Sequence, residues 1–248
     1  MKLLQLLTAL TLLSPLAAQE EAEHPRLVGD DANMAYFLLE PASVAKNDDL
    51  HLVLAMPGGN GQAREFLPWM RRVQEGLGEE YAIAVLSAPV WSEEQADSVV
   101  WVTDHWKKSA YSEAKFTTEE FLRAVLEDVK KQKRFKLASV SVFGWSSSGP
   151  AVYAAATEKK APYDGFVILC SVFKKEQLAK LSNAKGRRFY LLQGTEDDLT
   201  RLSWAEEAEE ALRKNGAEVE HEWYEGGHGF GMPDPIGTLK RAFESVRQ

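Results

Sequence analysis

The sequence predicts an α/β fold with a mostly parallel central sheet and helices on both of its faces. Short apolar segments alternate with amphipathic segments along the chain, which is typical of a parallel sheet covered by helices. The apolar segments are runs of Val, Ile, Leu and aromatic residues rather than strict alternations. Such runs are expected of strands that are buried on both faces.

Each element follows from its local pattern. Apolar runs predict strands at Met34–Leu39, His51–Met56, Tyr81–Leu86, Leu137–Phe143, Phe166–Cys170, Phe189–Leu192 and Val219–Tyr224. Helical spacing of apolar residues predicts helices at Glu65–Gly76, from Thr117 onward, and at Ala151–Thr157, Leu202–Lys214 and Ile236–Val246. Thr117 followed by Glu120 predicts a capping box at the start of its helix.

The composition indicates a globular protein and excludes one class of partner. The chain has 248 residues, of which 45% are hydrophobic and 27% charged, and it contains no repeat or linker. We therefore expect a single domain over residues 19–248. The net charge of −8 and the lack of a basic stripe argue against nucleic acid as a partner. The single cysteine, Cys170, allows no intramolecular disulfide and is interpreted as a small buried apolar residue.

The first residues have the pattern of a secretory signal peptide. Lys2 precedes an apolar run, Leu3–Leu13, and small residues up to Ala18 precede an acidic stretch. The run is too short to cross a bilayer, so no stable membrane insertion is expected after cleavage. Residues 1–18 are thus predicted to be a signal peptide, and the protein to be exported to a periplasm or secreted. A buried N-terminal helix is the alternative.

A serine-rich turn at Gly144–Gly149 is the sharpest chemical signal. It follows a predicted strand and precedes a predicted helix, the context of a nucleophile elbow. The residues two before and two after the nucleophile in such a turn must be small. Ser146 meets this requirement, whereas Ser147 would be preceded by Trp145 and Ser148 would be followed by Pro150. Sterics therefore select Ser146 as the candidate nucleophile.

A candidate acid and a candidate base follow in chain order. Asp197 comes after the predicted strand Phe189–Leu192, and His228 lies in a glycine-rich loop after the last predicted strand. The order Ser, Asp, His is that of an α/β-hydrolase. Asp198 and Glu196 remain open as alternative acids. The other histidines lie within strands, near the N-terminus or in the tryptophan-containing stretch 87–116, and no motif surrounds them.

An acyl-transfer site also needs N–H donors for the developing oxyanion. One is expected from the backbone of Ser147, directly after the nucleophile. The other is expected from the loop Pro57–Gly61 after an early strand, with Gly59 as the first choice and Asn60 next. An ordinary glycine turn is the alternative. This loop lacks the spacing and the Lys of a phosphate-binding loop.

These motifs together resemble the bacterial predicted esterases of the α/β-hydrolase superfamily, near the phospholipase/carboxylesterase and dienelactone-hydrolase-like groups. The resemblance is carried by P-G-G-N-G from Pro57, G-W-S-S-S-G from Gly144, G-T-E-D from Gly194 and G-G-H-G-F from Gly226. It implies the α/β-hydrolase fold, with about eight strands in a mostly parallel sheet, and a triad of Ser146, Asp197 and His228. Pro57 and Ser148 depart from the usual His and Gly of these motifs.

The predicted function is hydrolysis of small carboxylic esters through an acyl-enzyme, with no metal or organic cofactor. Trp145, Trp101 and Asn60 are candidate substrate-binding residues, and the stretch from Ser87 to Phe116 is expected to shape the pocket. A non-catalytic binding protein of the same fold and a serine peptidase are the competing hypotheses. The sequence does not indicate the oligomeric state.

Overall fold

One sheet of eight strands runs through the part of the chain that the computed structural model describes, residues 24–43, 49–93, 95, 100–106, 111–132 and 136–247. The predicted signal peptide lies outside these residues. The strands are β1 (Arg26–Leu27), β2 (Ala35–Leu39), β3 (Asp49–Met56), β4 (Tyr81–Leu86), β5 (Lys136–Trp145), β6 (Gly165–Leu169), β7 (Arg188–Gly194) and β8 (Glu218–Tyr224).

The strand order across the sheet is β1-β2-β4-β3-β5-β6-β7-β8. Strand β2 pairs antiparallel with both β1 and β4, and every other neighbouring pair is parallel. The predicted mostly parallel sheet is confirmed.

Five α-helices whose bounds lie within the described residues flank the sheet: α1 (Ala63–Leu77), α2 (Thr118–Lys131), α3 (Gly149–Ala156), α4 (Leu202–Lys214) and α5 (Pro235–Val246). Helices α2, α3 and α4 contribute to one core cluster, through residues such as Phe121, Ala154 and Leu212. Helices α1 and α5 contribute to a second cluster, through Met70 and Phe243. Two separate cores confirm helices on both faces. None of the described helices is long and apolar enough to span a bilayer.

The element boundaries differ from the predicted ones where pairing continues past the apolar run. Strand β5 extends to Trp145 because Gly144 and Trp145 still pair with β6. The strand predicted to end at Cys170 ends instead at Leu169, because Cys170 has a φ of 44° and leaves the extended region. Strand β1 was not predicted, since two residues carry no recognisable periodicity.

The predicted capping box at the start of α2 is confirmed. The Glu120 N–H donates to the Thr117 hydroxyl (3.2 Å), and the Thr117 N–H donates to the Glu120 carboxylate (2.7 Å). Two otherwise unpaired N–H groups are satisfied in this way.

The parallel strands bring four loops to one edge of the sheet. Strands β3, β5, β7 and β8 all run in the same direction, so the loops that follow them lie at their shared carboxyl edge, where open α/β sheets place their binding sites. Those loops carry the glycine loop from Gly58, the serine turn from Ser146, Asp197 and His228.

Candidate active site

Three side chains from three different loops form a continuous hydrogen-bonded chain. The Ser146 Oγ lies 2.8 Å from Nε2 of His228. The Nδ1 of the same imidazole lies 2.8 Å from Oδ2 of Asp197. A neutral imidazole with its proton on Nδ1 satisfies both contacts, because it donates to the carboxylate and accepts from the serine hydroxyl. This is the geometry that allows a histidine to remove the serine proton.

Ser146 occupies a strained turn between β5 and α3. Its φ is 57°, a left-handed conformation that is unfavourable for a residue with a Cβ. The turn is tight enough that a Cβ on Gly144 would lie 2.5 Å from Cγ2 of Val152 and 3.0 Å from the Ser148 Oγ. Only glycine therefore fits two residues before Ser146, as the steric argument from the sequence requires.

Ser148 has a structural role in the same turn. The side chain is completely buried. Its hydroxyl accepts a hydrogen bond from the Trp145 N–H (2.8 Å) and lies 2.8 Å from the carbonyl oxygen of Met56, to which it donates. The hydroxyl that replaces the usual glycine hydrogen thus connects the serine turn to the end of β3.

A second serine supports the turn from the side of β6. The Ser171 hydroxyl donates to the carbonyl oxygen of Ser146 over 2.6 Å. A Cβ on Gly149 would lie 2.0 Å from this hydroxyl, so the start of α3 must also be glycine. The backbone of the nucleophile is held from both sides.

Asp197 is buried among donors that fix its carboxylate as an anion. Oδ1 accepts from the N–H groups of Leu199 (2.9 Å) and Thr200 (2.8 Å). Oδ2 accepts from the Thr200 hydroxyl (2.7 Å), the Gln193 amide (3.0 Å) and His228. Burial favours the neutral acid, but the hydrogen bonds from Thr200 and His228 outweigh it and lower the pKa of Asp197 to about 2.

The alternative acids do not occupy this position. Glu196 and Asp198 are both exposed, whereas only 6% of Asp197 is accessible. The hydrogen bond to His228 comes from Asp197. Of the three acids that the sequence left open, Asp197 is therefore the one positioned to orient His228.

Tyr224 holds the loop that carries His228. Its buried hydroxyl donates to the carbonyl oxygen of Gly227 (2.8 Å) and accepts from the N–H of Gly229 (2.9 Å), the two residues on either side of the histidine. The Cys170 Sγ lies 3.1 Å from the same oxygen. Burial raises the pKa of the Cys170 thiol, so the S–H is kept as a donor to Tyr224 rather than as a thiolate.

Trp145 packs against the same histidine. The indole and imidazole rings are stacked, with centroids 6.0 Å apart. A Cβ on Gly229 would lie 2.9 Å from the indole ring, so the glycine lets the loop approach it. Trp145 also lines the cavity next to Ser146, which agrees with its candidate role at the substrate site.

The glycine loop after β3 lies beside the nucleophile. The Gly61 N–H donates to the Gly58 carbonyl (3.0 Å), which closes a tight turn with Gly59 and Asn60 at its tip. The Ser147 hydroxyl donates to the Gly59 carbonyl (2.9 Å) and joins the two loops that are expected to supply the oxyanion donors. The Asn60 side chain accepts from the Gln62 N–H (2.9 Å).

A cavity of about 490 Å³ opens at this edge of the sheet. Ser146 and His228 line it together with the glycine loop, the first turn of α1 and the residues Trp145, Leu199 and Phe230. The expected donor Gly59 and the candidate binding residue Asn60 are among the lining residues.

The structure does not place Trp101 in this cavity. Only 1% of its side chain is exposed, and its Nε1–H donates to the carbonyl oxygen of Pro57 over 3.1 Å. Trp101 therefore supports the glycine loop from the core instead of contacting a ligand. None of the described residues in the stretch 87–116 lines the cavity. For these residues, the expectation that the stretch shapes the pocket is wrong.

Among the described residues, one group of potential metal ligands lies at the site. Ligand atoms of Cys170, Asp197 and His228 are within 4.8 Å of one another. Asp197 and His228 are hydrogen-bonded to each other, and Cys170 is hydrogen-bonded to Tyr224. Hydrogen bonding accounts for this proximity without a metal ion.

Sequence reasoning missed the residues that hold the candidate triad in place. Thr200, Gln193, Tyr224 and Ser171 each donate or accept through a side chain that no motif includes. Thr200, three residues after the acid, is the one with a local signal, because an Asp side chain commonly accepts from backbone N–H groups two and three residues on.

A comparison with protein families identifies the chain. A model of the dienelactone hydrolase family matches residues 91–248, more than half of the sequence. The chain belongs to the dienelactone hydrolase family. The predicted resemblance to the dienelactone-hydrolase group and the predicted α/β-hydrolase fold are both confirmed, and the family to which the chain belongs is a family of hydrolases.

Solved structures agree with the fold of this family member. A carboxylesterase from Bacillus cereus is 15% identical, with a TM-score of 0.60, and the match covers 94% of this chain and 99% of that one. A carboxylesterase from Mesorhizobium loti is 16% identical, with a TM-score of 0.64, over 88% and 98% of the two chains.

A further solved structure with this fold is named as a peptidase. A putative dipeptidyl aminopeptidase IV from Bacteroides ovatus is 13% identical, with a TM-score of 0.63, over 86% of this chain but 33% of that one. At such identities the likeness shows the fold. No curated protein matches the chain in sequence.

Proposed function

We propose that this protein is a serine hydrolase that cleaves carboxylic esters, with Ser146 as nucleophile, His228 as general base and Asp197 as the acid that orients it. The observation that carries the proposal is the chain of two 2.8 Å hydrogen bonds from Asp197 through His228 to Ser146. Its serine end opens into a cavity, where an ester carbonyl can approach the hydroxyl.

In the first half-reaction, the Ser146 oxygen attacks the ester carbonyl carbon while His228 takes its proton on Nε2. The carboxylate of Asp197 stabilises the imidazolium that forms and keeps the ring in the required orientation. Backbone N–H groups of Gly59 and Ser147 bind the developing oxyanion. The carbon–oxygen bond to the alcohol then breaks, and the imidazolium returns its proton to the leaving alkoxide.

In the second half-reaction, water replaces the alcohol. His228 removes a proton from the water as its oxygen attacks the acyl-enzyme, and returns that proton to Ser146 as the carboxylic acid leaves. Atoms and charge balance with one ester and one water consumed and one acid and one alcohol produced. No cofactor takes part in these steps.

Esters are favoured over peptides by the neighbours whose whole length this chain matches. The match covers 99% and 98% of the chains of the two carboxylesterases but 33% of the chain of the putative aminopeptidase. Peptide cleavage is therefore tested as the competing activity.

The test combines active-site labelling with an ester assay. A fluorophosphonate probe should label Ser146 covalently, with fluoride as the leaving group, because only an activated serine reacts. Ser146→Ala should abolish labelling and lower turnover of a p-nitrophenyl ester by about 10⁴ to 10⁶. Ser147→Ala, which removes the neighbouring hydroxyl but keeps its backbone N–H, should still be labelled at Ser146.

Two outcomes would overturn the proposal. An unlabelled wild-type protein with no activity on esters would indicate a binding protein that retains the fold without catalysis. Faster cleavage of peptide anilides than of p-nitrophenyl esters would assign the same serine to a peptidase.

We further propose that the protein is exported and that residues 1–18 are removed. The support is the sequence pattern of a basic start, a short apolar run and small residues before Gln19. N-terminal sequencing of the mature protein should begin at Gln19, and a retained Met1 would contradict export by cleavage.

A further inference from the structure

The mouth of the cavity exposes two large apolar side chains. Leu199 is 71% exposed and Phe230 is 72% exposed, and both line the cavity that contains Ser146. Phe66 and Trp145, which are less exposed, form an apolar part of the cavity wall. Exposed side chains of this size grouped around a cavity indicate contact with an apolar ligand group.

The charge of the cavity lining is one-sided. Apart from His228, the ionisable side chain that lines the cavity in the described part of the chain is that of Glu65, and neither Lys nor Arg is among the lining residues. Glu65 is exposed on the first turn of α1. Among the described residues, the side chains that line the cavity therefore include one carboxylate, Glu65, and no Lys or Arg.

Part of the hydrogen-bonding capacity at the N-terminus of α1 is used within the protein. Helix N-termini attract anions through unpaired N–H groups. Here the Gln62 N–H donates to the Asn60 side chain (2.9 Å) and the Ala63 N–H donates to the Ser87 hydroxyl (3.2 Å). Glu65 places the protein's own carboxylate at the same helix end. An anionic ligand group at this helix end would therefore meet the Glu65 carboxylate, and the N–H groups of Gln62 and Ala63 are already paired.

We propose, resting on the proposed ester hydrolysis, that Glu65 is a specificity-determining residue that excludes carboxylate-bearing esters, so that the substrate arm in this cavity is apolar and neutral or cationic. The apolar mouth at Leu199 and Phe230 binds that arm, and the Glu65 carboxylate sets which charge it carries.

The expected discrimination follows from one like-charge pair near a protein surface. When both like charges are partly exposed to solvent, we expect their repulsion to lower kcat/KM by about tenfold. The effect falls mainly on KM, because the carboxylate acts on the bound arm and not on the reacting atoms. Salt should weaken it, since at about 1 M ionic strength the Debye length is about 3 Å.

The experiment compares esters of equal chain length that differ in terminal charge. The acyl series is p-nitrophenyl hexanoate, the mono-p-nitrophenyl ester of adipic acid, and p-nitrophenyl aminohexanoate. The alcohol series is methyl para-acetoxybenzoate against para-acetoxybenzoate, which covers the case in which the leaving group occupies the cavity. We expect wild-type kcat/KM to be about tenfold lower for the anionic member of at least one series.

The variants assign this ratio to one residue. Glu65→Gln should bring the neutral-to-anionic ratio close to one, and Glu65→Lys should reverse it. Glu75→Lys makes the same charge change on the same helix, at an exposed residue that does not line the cavity. It should keep the wild-type ratio, which separates a local effect from a change in the net charge of the protein.

Failure of this inference is distinguishable from failure of the proposed function. Ester turnover with fluorophosphonate labelling, but with equal kcat/KM for neutral and anionic esters, would overturn the role of Glu65 alone. A charge ratio that Glu65→Lys leaves unchanged would do the same. Absence of both turnover and labelling would overturn the proposed function itself.

Discussion

The two halves of the candidate triad differ in the interaction that dominates each of them. The nucleophile half, the turn at Ser146 with the glycine loop at Gly58, is held by steric fit: Ser146 has a φ of 57°, and neither Gly58 nor Gly144 has room for a Cβ. The acid–base half, the loops of Asp197 and His228, is held by buried hydrogen bonds. Hydrogen bonds from Ser148 and Ser171 also support the nucleophile half, but its distinguishing feature is the close packing of a strained turn. The distinguishing feature of the acid–base half is the number of hydrogen bonds on Asp197 and around His228.

This difference determines how each half responds to change. A Cβ placed where backbone atoms already lie forces the turn to move, because atoms in a packed interior cannot overlap. A lost hydrogen bond loosens a loop by degrees and leaves a buried partner unpaired, which typically costs about 1–3 kcal/mol. Substitutions in the nucleophile half should therefore displace the backbone of the turn. Substitutions in the acid–base half should instead loosen the orientation of the His228 side chain.

Among the substitutions that test this comparison, Asp197→Asn is expected to have the largest effect. The amide can present its NH₂ to Nδ1 of His228 and hold the imidazole in the tautomer that cannot accept the Ser146 proton. Turnover of a p-nitrophenyl ester should fall by about 10⁴. Steady-state kinetics of Asp198→Asn, which changes the exposed neighbour, supply the control. Equal losses in both variants would show that orientation by Asp197 is not what matters.

A large effect is also expected in the nucleophile half from Gly58→Ala. The new Cβ would lie 2.8 Å from the Trp145 carbonyl oxygen and 3.0 Å from the Ser146 Cβ, so the glycine loop must move away from the serine. A displacement of about 1 Å can cost on the order of 10² in kcat/KM.

Gly186→Ala is the matched control for this substitution. Gly186 has a φ of 72° with open space around its missing Cβ. The variant should lose about 1 kcal/mol of stability in thermal unfolding and keep its kcat/KM. If Gly58→Ala keeps full activity as well, steric fit does not position the glycine loop.

Tyr224→Phe tests the hydrogen bonds that hold the His228 loop in the acid–base half. The variant leaves the Gly227 carbonyl, the Gly229 N–H and the Cys170 thiol without their shared partner. The free energy of unfolding should fall by about 1–3 kcal/mol. We expect kcat to fall by about tenfold with little change in KM, because the imidazole loses orientation while the cavity is kept.

Tyr163→Phe is the control, because it removes a buried hydroxyl that does not hold a loop in place. Tyr163 is also buried, but its hydroxyl has no hydrogen-bond partner among the described residues. Its removal should be close to neutral in urea unfolding and in turnover. Similar behaviour of the two variants would mean that Tyr224 contributes packing and not orientation.

The smallest effect is the pH dependence of stability that Asp197 contributes. Its pKa is lowered to about 2 in the folded protein, below the value of an unfolded aspartate. Its stabilisation is therefore complete above the unfolded pKa and is lost as the pH falls toward 2. The difference in unfolding free energy between wild type and Asp197→Asn should shrink by about 1 kcal/mol between pH 6 and pH 3. Urea unfolding with a constant difference across that range would contradict the buried, hydrogen-bonded state of the carboxylate.

The strands and helices could be predicted because each carries its own apolar pattern. Tyr81–Leu86 and Leu202–Lys214 have the predicted bounds. Strand β1 could not be predicted, since its two residues depend on pairing with β2. Trp101 was misjudged for a related reason: an aromatic residue in an irregular stretch has the same sequence signature whether it lines a cavity or packs under a loop, and its hydrogen bond to Pro57 decides the matter.

The α/β architecture and the choice of serine for the strained turn follow from the amino-acid sequence alone, because both depend on residues that are close together along the chain. Three other features are visible only in the folded molecule: Asp197 rather than its neighbours meets His228, Tyr224 and Cys170 support the histidine loop, and Glu65 lines the cavity. These contacts join residues that are distant in sequence, and hydrogen bonds between distant side chains leave no periodicity or spacing by which the chain alone reveals them.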